Sequence, residues 1–249
     1  MTQDVALRPP ALLVEGVSHA FGLTRALDGV SLQVMAGQFV ALLGINGAGK
    51  STLINVATRL YDSGAGRVAI AGHDLRRAPS AALARLGVVF QSRALDADLT
   101  VAQNLHYHAA LHGIGRAEAR GRIAEVLALV DLQDKARARV ATLSGGQVRR
   151  AEIARALIHR PEVMILDEPT TGLDVRSRAE VLALTQRLTR TGAVGVLWAT
   201  HLLAEVTEAD AIIVLHQGRV LWSGPPQDLA REGDLTAAFL SLTGAQAAA

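Results

Sequence analysis

The turn Gly44-Ile-Asn-Gly-Ala-Gly-Lys50-Ser51-Thr52 sits between an apolar run, Phe39-Val-Ala-Leu-Leu43, and a segment with helical character, Ser51 to Leu60. It fits G-x-x-x-x-G-K-[ST] in full and lies in the strand-to-helix setting that pattern requires. Its glycines let successive backbone N–H groups point inward at an anion, and the helix N-terminus adds favourable partial charge. Gly44, Asn46, Gly47, Ala48, Gly49, Lys50, Ser51 and Thr52 are therefore candidate phosphate-binding residues. Lys50 is suited to the outer phosphates and the Ser51 hydroxyl to Mg²⁺. A glycine turn that merely precedes a helix is the competing reading. Such a match would arise by chance on the order of once per thousand chains.

Three more segments share this grammar of a short apolar run ending in a reactive polar residue. Gly87-Val-Val-Phe90 leads to Gln91, Val163–Leu166 to Asp167 and Glu168, and Val194–Trp198, through Ala199 and Thr200, to His201. Continuous apolar runs of this length read as strands buried on both faces of a parallel sheet, and such sheets bind ligands beyond their carboxyl ends. Asp167 and Glu168 suit a division of labour, one carboxylate for metal and one for water.

Helical patterns fill the intervals. Asp174 caps a run through about Arg190 that Gly192 stops; Thr100-Val-Ala-Gln103 is a capping box opening a helix to about Leu111, and Arg116–Val130 has helical periodicity. Leu12–Ala20, Ser31–Val34 and Arg67–Ala71 read as an antiparallel side sheet, with a turn at Met35–Gln38. Ala211–Leu215 and Arg219–Trp222 flank a turn at Gly218. The expectation is a single α/β domain over residues 1–249: a mainly parallel core with its side sheet (1–92 and 159–225), an inserted helical subdomain (93–158) and a C-terminal tail (226–249) whose last residues fray.

Composition narrows the rest. Half of the 249 residues are apolar and 19% are charged, which supports a sizeable core and excludes general disorder. No apolar run approaches the ~20 residues that span a bilayer, and the start lacks the plan of a signal peptide, so a cytoplasmic location is expected. With no cysteine there is neither disulfide nor thiolate metal site. A net charge of +2 and 3% aromatics give no basic face for nucleic acid. Of 25 basic residues only Lys50 and Lys135 are lysine. A lysine in the loop of an arginine-rich chain points to a need for a compact ammonium.

Leu143-Ser-Gly-Gly-Gln147 reads locally as another capping box, Ser144 with Gln147, for a helix Val148–Ile158. With the glycine loop, Gln91, Asp167-Glu168, Gly172-Leu-Asp174 and His201 in this order, it resembles the ATP-binding-cassette (ABC) family from about Leu12 to Gly224. The resemblance implies a P-loop NTPase core and a head-to-tail dimer. In that dimer each ATP lies between the glycine loop of one copy and Ser144, Gly145, Gly146 and Gln147 of the other. It assigns Glu168 to the attacking water, His201 to the γ-phosphate, and Gln91, Ser51 and Asp167 to Mg²⁺. It places Asp174 in the D-loop, among the nucleotide-binding residues, and Phe21 where an aromatic stacks on adenine. Two positions depart from the family: Ile45 stands where proline is usual, and Phe21 where tyrosine is. Neither removes a reacting group.

The resemblance further implies an ATPase at the cytoplasmic face of the cell membrane, powering a separate permease. Leu95–Leu105 and Leu111-His-Gly113 are similar to the exporter-type branch. Ala71–Pro79 and Val196–His201 are similar to cassettes associated with quinone-dependent alcohol oxidation. A soluble ATPase that drives assembly or remodelling is the alternative. His106, His108 and His112 share one predicted helix, the last two on one face. With no third ligand near in sequence, they are expected to be surface or partly buried histidines and not a metal site. Arg116–Arg122 and Arg137–Arg139 are expected to be solvated helix faces.

Overall fold

The structure, a computed structural model, describes residues 9–190, 194–230 and 234–244. The apolar runs form the centre of a six-stranded sheet. β3 (Phe39–Leu43), β7 (Val163–Asp167) and β8 (Gly195–Thr200) are buried at every position. With β6 (Leu86–Val89), β9 (Ala211–His216) and β10 (Arg219–Gly224) the order is β10-β9-β3-β8-β7-β6. All neighbours are parallel except the β9–β10 hairpin. β10 alternates in burial, as an edge strand with one wet face must.

The pleat of β3 divides two cores. Phe39, Ala41 and Leu43 face a cluster that includes Trp198, Leu166 and the helices α3 (Val101–Leu111), α4 (Arg116–Leu129) and α5 (Gly145–Leu157). Val40 and Leu42 face the opposite way, towards α1 (Lys50–Ala57) and the side sheet. Burying each large apolar side chain of this kind contributes roughly 1.5–3 kcal/mol before entropy is counted. Among the described residues no strand lies between β6 and β7. Both capping boxes, Thr100–Gln103 and Ser144–Gln147, form with reciprocal bonds. α6 (Val175–Arg190) follows Asp174, whose carboxylate accepts from the Ser177 N–H at 2.9 Å.

The side sheet is antiparallel with order β2-β1-β4-β5, from β1 (Leu12–Phe21), β2 (Thr24–Val34), β4 (Ala65–Ile70) and β5 (His73–Asp74). β2 starts seven residues before the expected Ser31. Irregularities in the β1–β2 register break the alternation that would have disclosed the hairpin arm. α1 stops at Ala57, short of the expected Leu60. Thr58 turns its hydroxyl back onto the Ile54 carbonyl at 2.9 Å, and Arg59 takes φ +59°.

A short helix α2 (Pro79–Leu83) precedes β6. The expected tail contains α7 (Pro226–Leu229) and α8 (Leu235–Thr243), and Leu229 and Phe239 join the main core. The helix stop at Gly192 lies outside the described residues, as does the expected fraying end (244–249) except Gly244, which caps α8. No helix of the described residues is long and apolar enough to cross a membrane.

Candidate functional site

The carboxyl ends of β3, β6, β7 and β8 open on a cleft of about 410 Å³. Asn46 to Thr52, Gln91, Glu168 and His201 line it, so four separate sequence signals meet at one place. Ile45 of the same loop also lines it, as do Ala26 and Thr171, whose residue types did not announce this. Gly49 takes φ +108°, and a Cβ there would lie 2.8 Å from the Ala26 carbonyl oxygen, so only glycine fits this bend.

Lys50 opens α1 and is buried. Its Nζ donates to the Gly44 carbonyl at 2.6 Å and lies 3.2 Å from Glu168 Oε1. Glu168 Oε2 accepts from His201 Nδ1 at 2.6 Å, with the Thr171 hydroxyl 3.3 Å away. Glu168 follows the last residue of β7 at φ +47°, a conformation that non-glycine residues adopt rarely. Its N–H is tied to the Ala199 carbonyl at 2.9 Å. This bend, more than strand alternation, separates the two neighbouring carboxylates.

Asp167 remains in the strand, buried, with Oδ1 unpartnered. Burial pushes its carboxyl above the ordinary range. The Ser51 side chain lowers it again, Glu168 raises it, and Lys50 lowers it. A buried, unpartnered carboxylate oxygen beside a hydroxyl is a donor set suited to a hard cation.

The remaining expected positions lie apart from the cleft lining. Phe21 is half exposed and packs edge-on against Tyr61, ring centroids 5.5 Å apart. Ser144 and Gly145 are exposed at the N-terminus of α5. Gly146 packs so closely on α6 that a Cβ would meet Ser177 Oγ at 2.6 Å. Asp174 accepts from Ser177 Oγ at 2.7 Å, so Gly146 and Asp174 meet the same serine. The Ser177 N–H, then its hydroxyl, holds the Asp174 carboxyl below its ordinary value.

Two supports escaped the sequence reading. Glu205 is buried and accepts from Trp198 Nε1 at 3.0 Å, from Thr200 Oγ1 at 2.7 Å and from Thr170 Oγ1. It thus ties the segment carrying His201 to the segment after Glu168. Arg149 of α5 pairs with Glu152 at 2.7 Å and donates to the Phe90 carbonyl at 2.9 Å, while Glu152 accepts from the Ala94 N–H at 2.9 Å. These two side chains bind the Gln91 segment to α5. The only sequence signal was a charged pair at i, i+3, which reads equally well as a solvated helix face.

The fold and cleft define a P-loop nucleotide-binding module. The model of the ABC transporter family matches residues 27–171. The daunorubicin resistance ATP-binding protein DrrA3 of Streptomyces coeruleorubidus is 43% identical over 223 residues, covering 89% of this chain and 70% of that protein. The energy-coupling factor transporter ATP-binding protein EcfA1 of Symbiobacterium thermophilum is 38% identical over 239 residues, covering 90% and 83%. The structure of cbiO1 from Clostridium perfringens, part of the ABC transporter complex cbiONQ, superposes with a TM-score of 0.83 at 28% identity, covering 93% of this chain and 95% of that one. The chain belongs to the ABC transporter family, as one of its ATP-binding, ATP-hydrolysing subunits. None of these relatives is named for alcohol oxidation, and the finer likeness to those cassettes has no support.

Proposed function

We propose that this chain is the peripheral motor of an exporter. It would hydrolyse MgATP at the cytoplasmic face of the membrane and drive a separate permease. The carrying observation is the chain of contacts Lys50–Glu168–His201 facing the Asn46–Thr52 loop in one cleft. The outward direction is supported by the resistance relative and by the Leu95–Leu105 segment.

Here Glu168 serves as counter-anion to Lys50. A γ-phosphate entering the loop competes for that ammonium and frees Oε1 to orient the attacking water. His201 holds Glu168 through Nδ1, which leaves its Nε2 for the phosphate. Ser51, Asp167 and Gln91 are the residues that would hold Mg²⁺, whose chemistry is to offset charge on the phosphates. Phe21 contributes an apolar ring for the base.

Ser144 and Gly145, exposed at a helix N-terminus outside the cleft, with Gly146 and Gln147 in the turn behind them, suit the phosphates of a second copy's nucleotide. Asp174 shares that surface. The active species is then a head-to-tail dimer. Residues 93–158 act as the helical unit that the Arg149–Glu152 pair couples to the cleft through the Gln91 segment.

Glu168→Gln tests the hydrolytic assignment. The amide keeps the shape and loses the base, so ATP binding is expected to persist while turnover falls by on the order of 100-fold or more. An ATP-dependent dimer should then accumulate in size-exclusion chromatography. Near-wild-type turnover would move the water-orienting role to another residue.

A further inference from the structure

A second constellation lies beside β6, in a groove of about 310 Å³ lined by Leu60, Phe90, His108, His112, Arg155 and His159. The fold supplies a third histidine that is distant in sequence: His159 follows α5 and comes to the end of α3, forty-seven residues from His112 in the chain. One ring nitrogen from each histidine lies within 4.8 Å of the others.

His159 is oriented for ligation. Its Nε2 is taken up by the Leu86 carbonyl at 3.0 Å, and its Nδ1 is buried without a hydrogen-bond partner. A backbone carbonyl fixing the tautomer of a histidine is the usual support of a metal-binding imidazole. We propose that His108, His112 and His159 form a site for a divalent transition-metal cation of the zinc type, separate from the nucleotide cleft.

The donor set decides the metal class. Three imidazoles with neither carboxylate nor thiolate suit Zn²⁺, Co²⁺, Ni²⁺ or Cu²⁺ and not Mg²⁺ or Ca²⁺. Burial, the nearby Arg155 and the other two histidines push His108 down to about 3. Burial first, then His112, push His159 down to about 4, against the Leu86 bond. The Leu86 bond leaves Nδ1 of His159 as the nitrogen open to a metal.

Two features oppose binding and set its terms. Arg155 faces the cluster, held by the Val88 carbonyl at 3.2 Å, and Arg122 also acts on His159. The rings of His112 and His159 lie stacked, centroids 3.9 Å apart and 7° from parallel. A tetrahedral cation ~2.1 Å from each donor needs nitrogens ~3.4 Å apart and in the ring planes. Loading therefore turns His112, the C-cap of α3, out of the stack. The bound metal would tie α3 to the connection between α5 and β7, the strand ending in Asp167.

The test is Co²⁺ titration of the full chain, prepared without a histidine tag and without nucleotide, followed by visible absorption. The expected result is a tetrahedral cobalt band saturating at one equivalent and displaced by Zn²⁺. His112→Phe keeps an aromatic ring in the stack and removes a ligand. His159→Phe removes the nitrogen held ready by Leu86. Each should weaken binding by at least about 10–100-fold, the loss that even an outer partner of a ligand causes. Zn²⁺ should raise the wild-type melting temperature and leave both variants unmoved. If a variant does not fold, the wild-type titration still decides: no saturable band, or an octahedral one, overturns the site. Undiminished binding in a folded variant overturns it as well, by placing the metal elsewhere.

Discussion

Lys50 shows how one side chain is fixed by several constraints. Its ammonium is enclosed by the Gly44 and Ile45 carbonyls, at 2.6 and 3.4 Å, and by Glu168. A planar guanidinium, with five donors in a rigid fork, cannot be satisfied in that space. Lys50→Ala removes the compact charge from ground state and transition state alike, so nucleotide affinity and turnover should fall together. A fluorescent-ATP titration beside a phosphate-release assay reads both. Unchanged affinity would separate Lys50 from the phosphates. Lys50 and His201 stood out in the sequence because motif and residue type agreed. Glu205 did not, since one of three acids in the run Glu205–Asp210 carries no mark of being buried among three donors.

Among the elements, the supports of the cleft matter as much as its lining. Glu205 fastens the β8 end to the loop after β7, so Glu205→Ala strands three buried donors at about 1–3 kcal/mol each. Urea denaturation should show that loss. Turnover of the folded remainder should also drop, because His201 and Glu168 lose their common anchor. Full stability would mean that water replaces the carboxylate.

The α5 N-terminus offers a sharper contrast. Ser144 caps its helix, as the residue pattern indicated, and this fact alone gives Ser144→Arg a cost of ~1 kcal/mol in stability. If the same residue faces a neighbour's nucleotide, the variant binds ATP at its own loop and hydrolyses almost none. Wild-type turnover in a variant that binds ATP would reduce Ser144 to a cap. The central strands were legible as continuous apolar runs, and both capping boxes as residue types at a fixed spacing. The β1–β2 arm and the histidine trio were not. One is hidden by register irregularities, and the other is assembled from segments that only the fold brings together.

At the scale of the whole molecule, the cleft and the α5 N-terminus are separate surfaces, joined through Arg149, Glu152 and the Gln91 segment. A monomer with this arrangement holds ATP on one surface and presents helix N–H groups from another. In the proposed dimer, hydrolysis would depend on a second copy bringing the two together. The measurement that tests this most directly is steady-state turnover per chain across protein concentrations that bracket the measured dimer dissociation constant. Turnover per chain should rise with concentration and level off once the dimer is formed. A value that stays flat across the whole range would contradict the shared site.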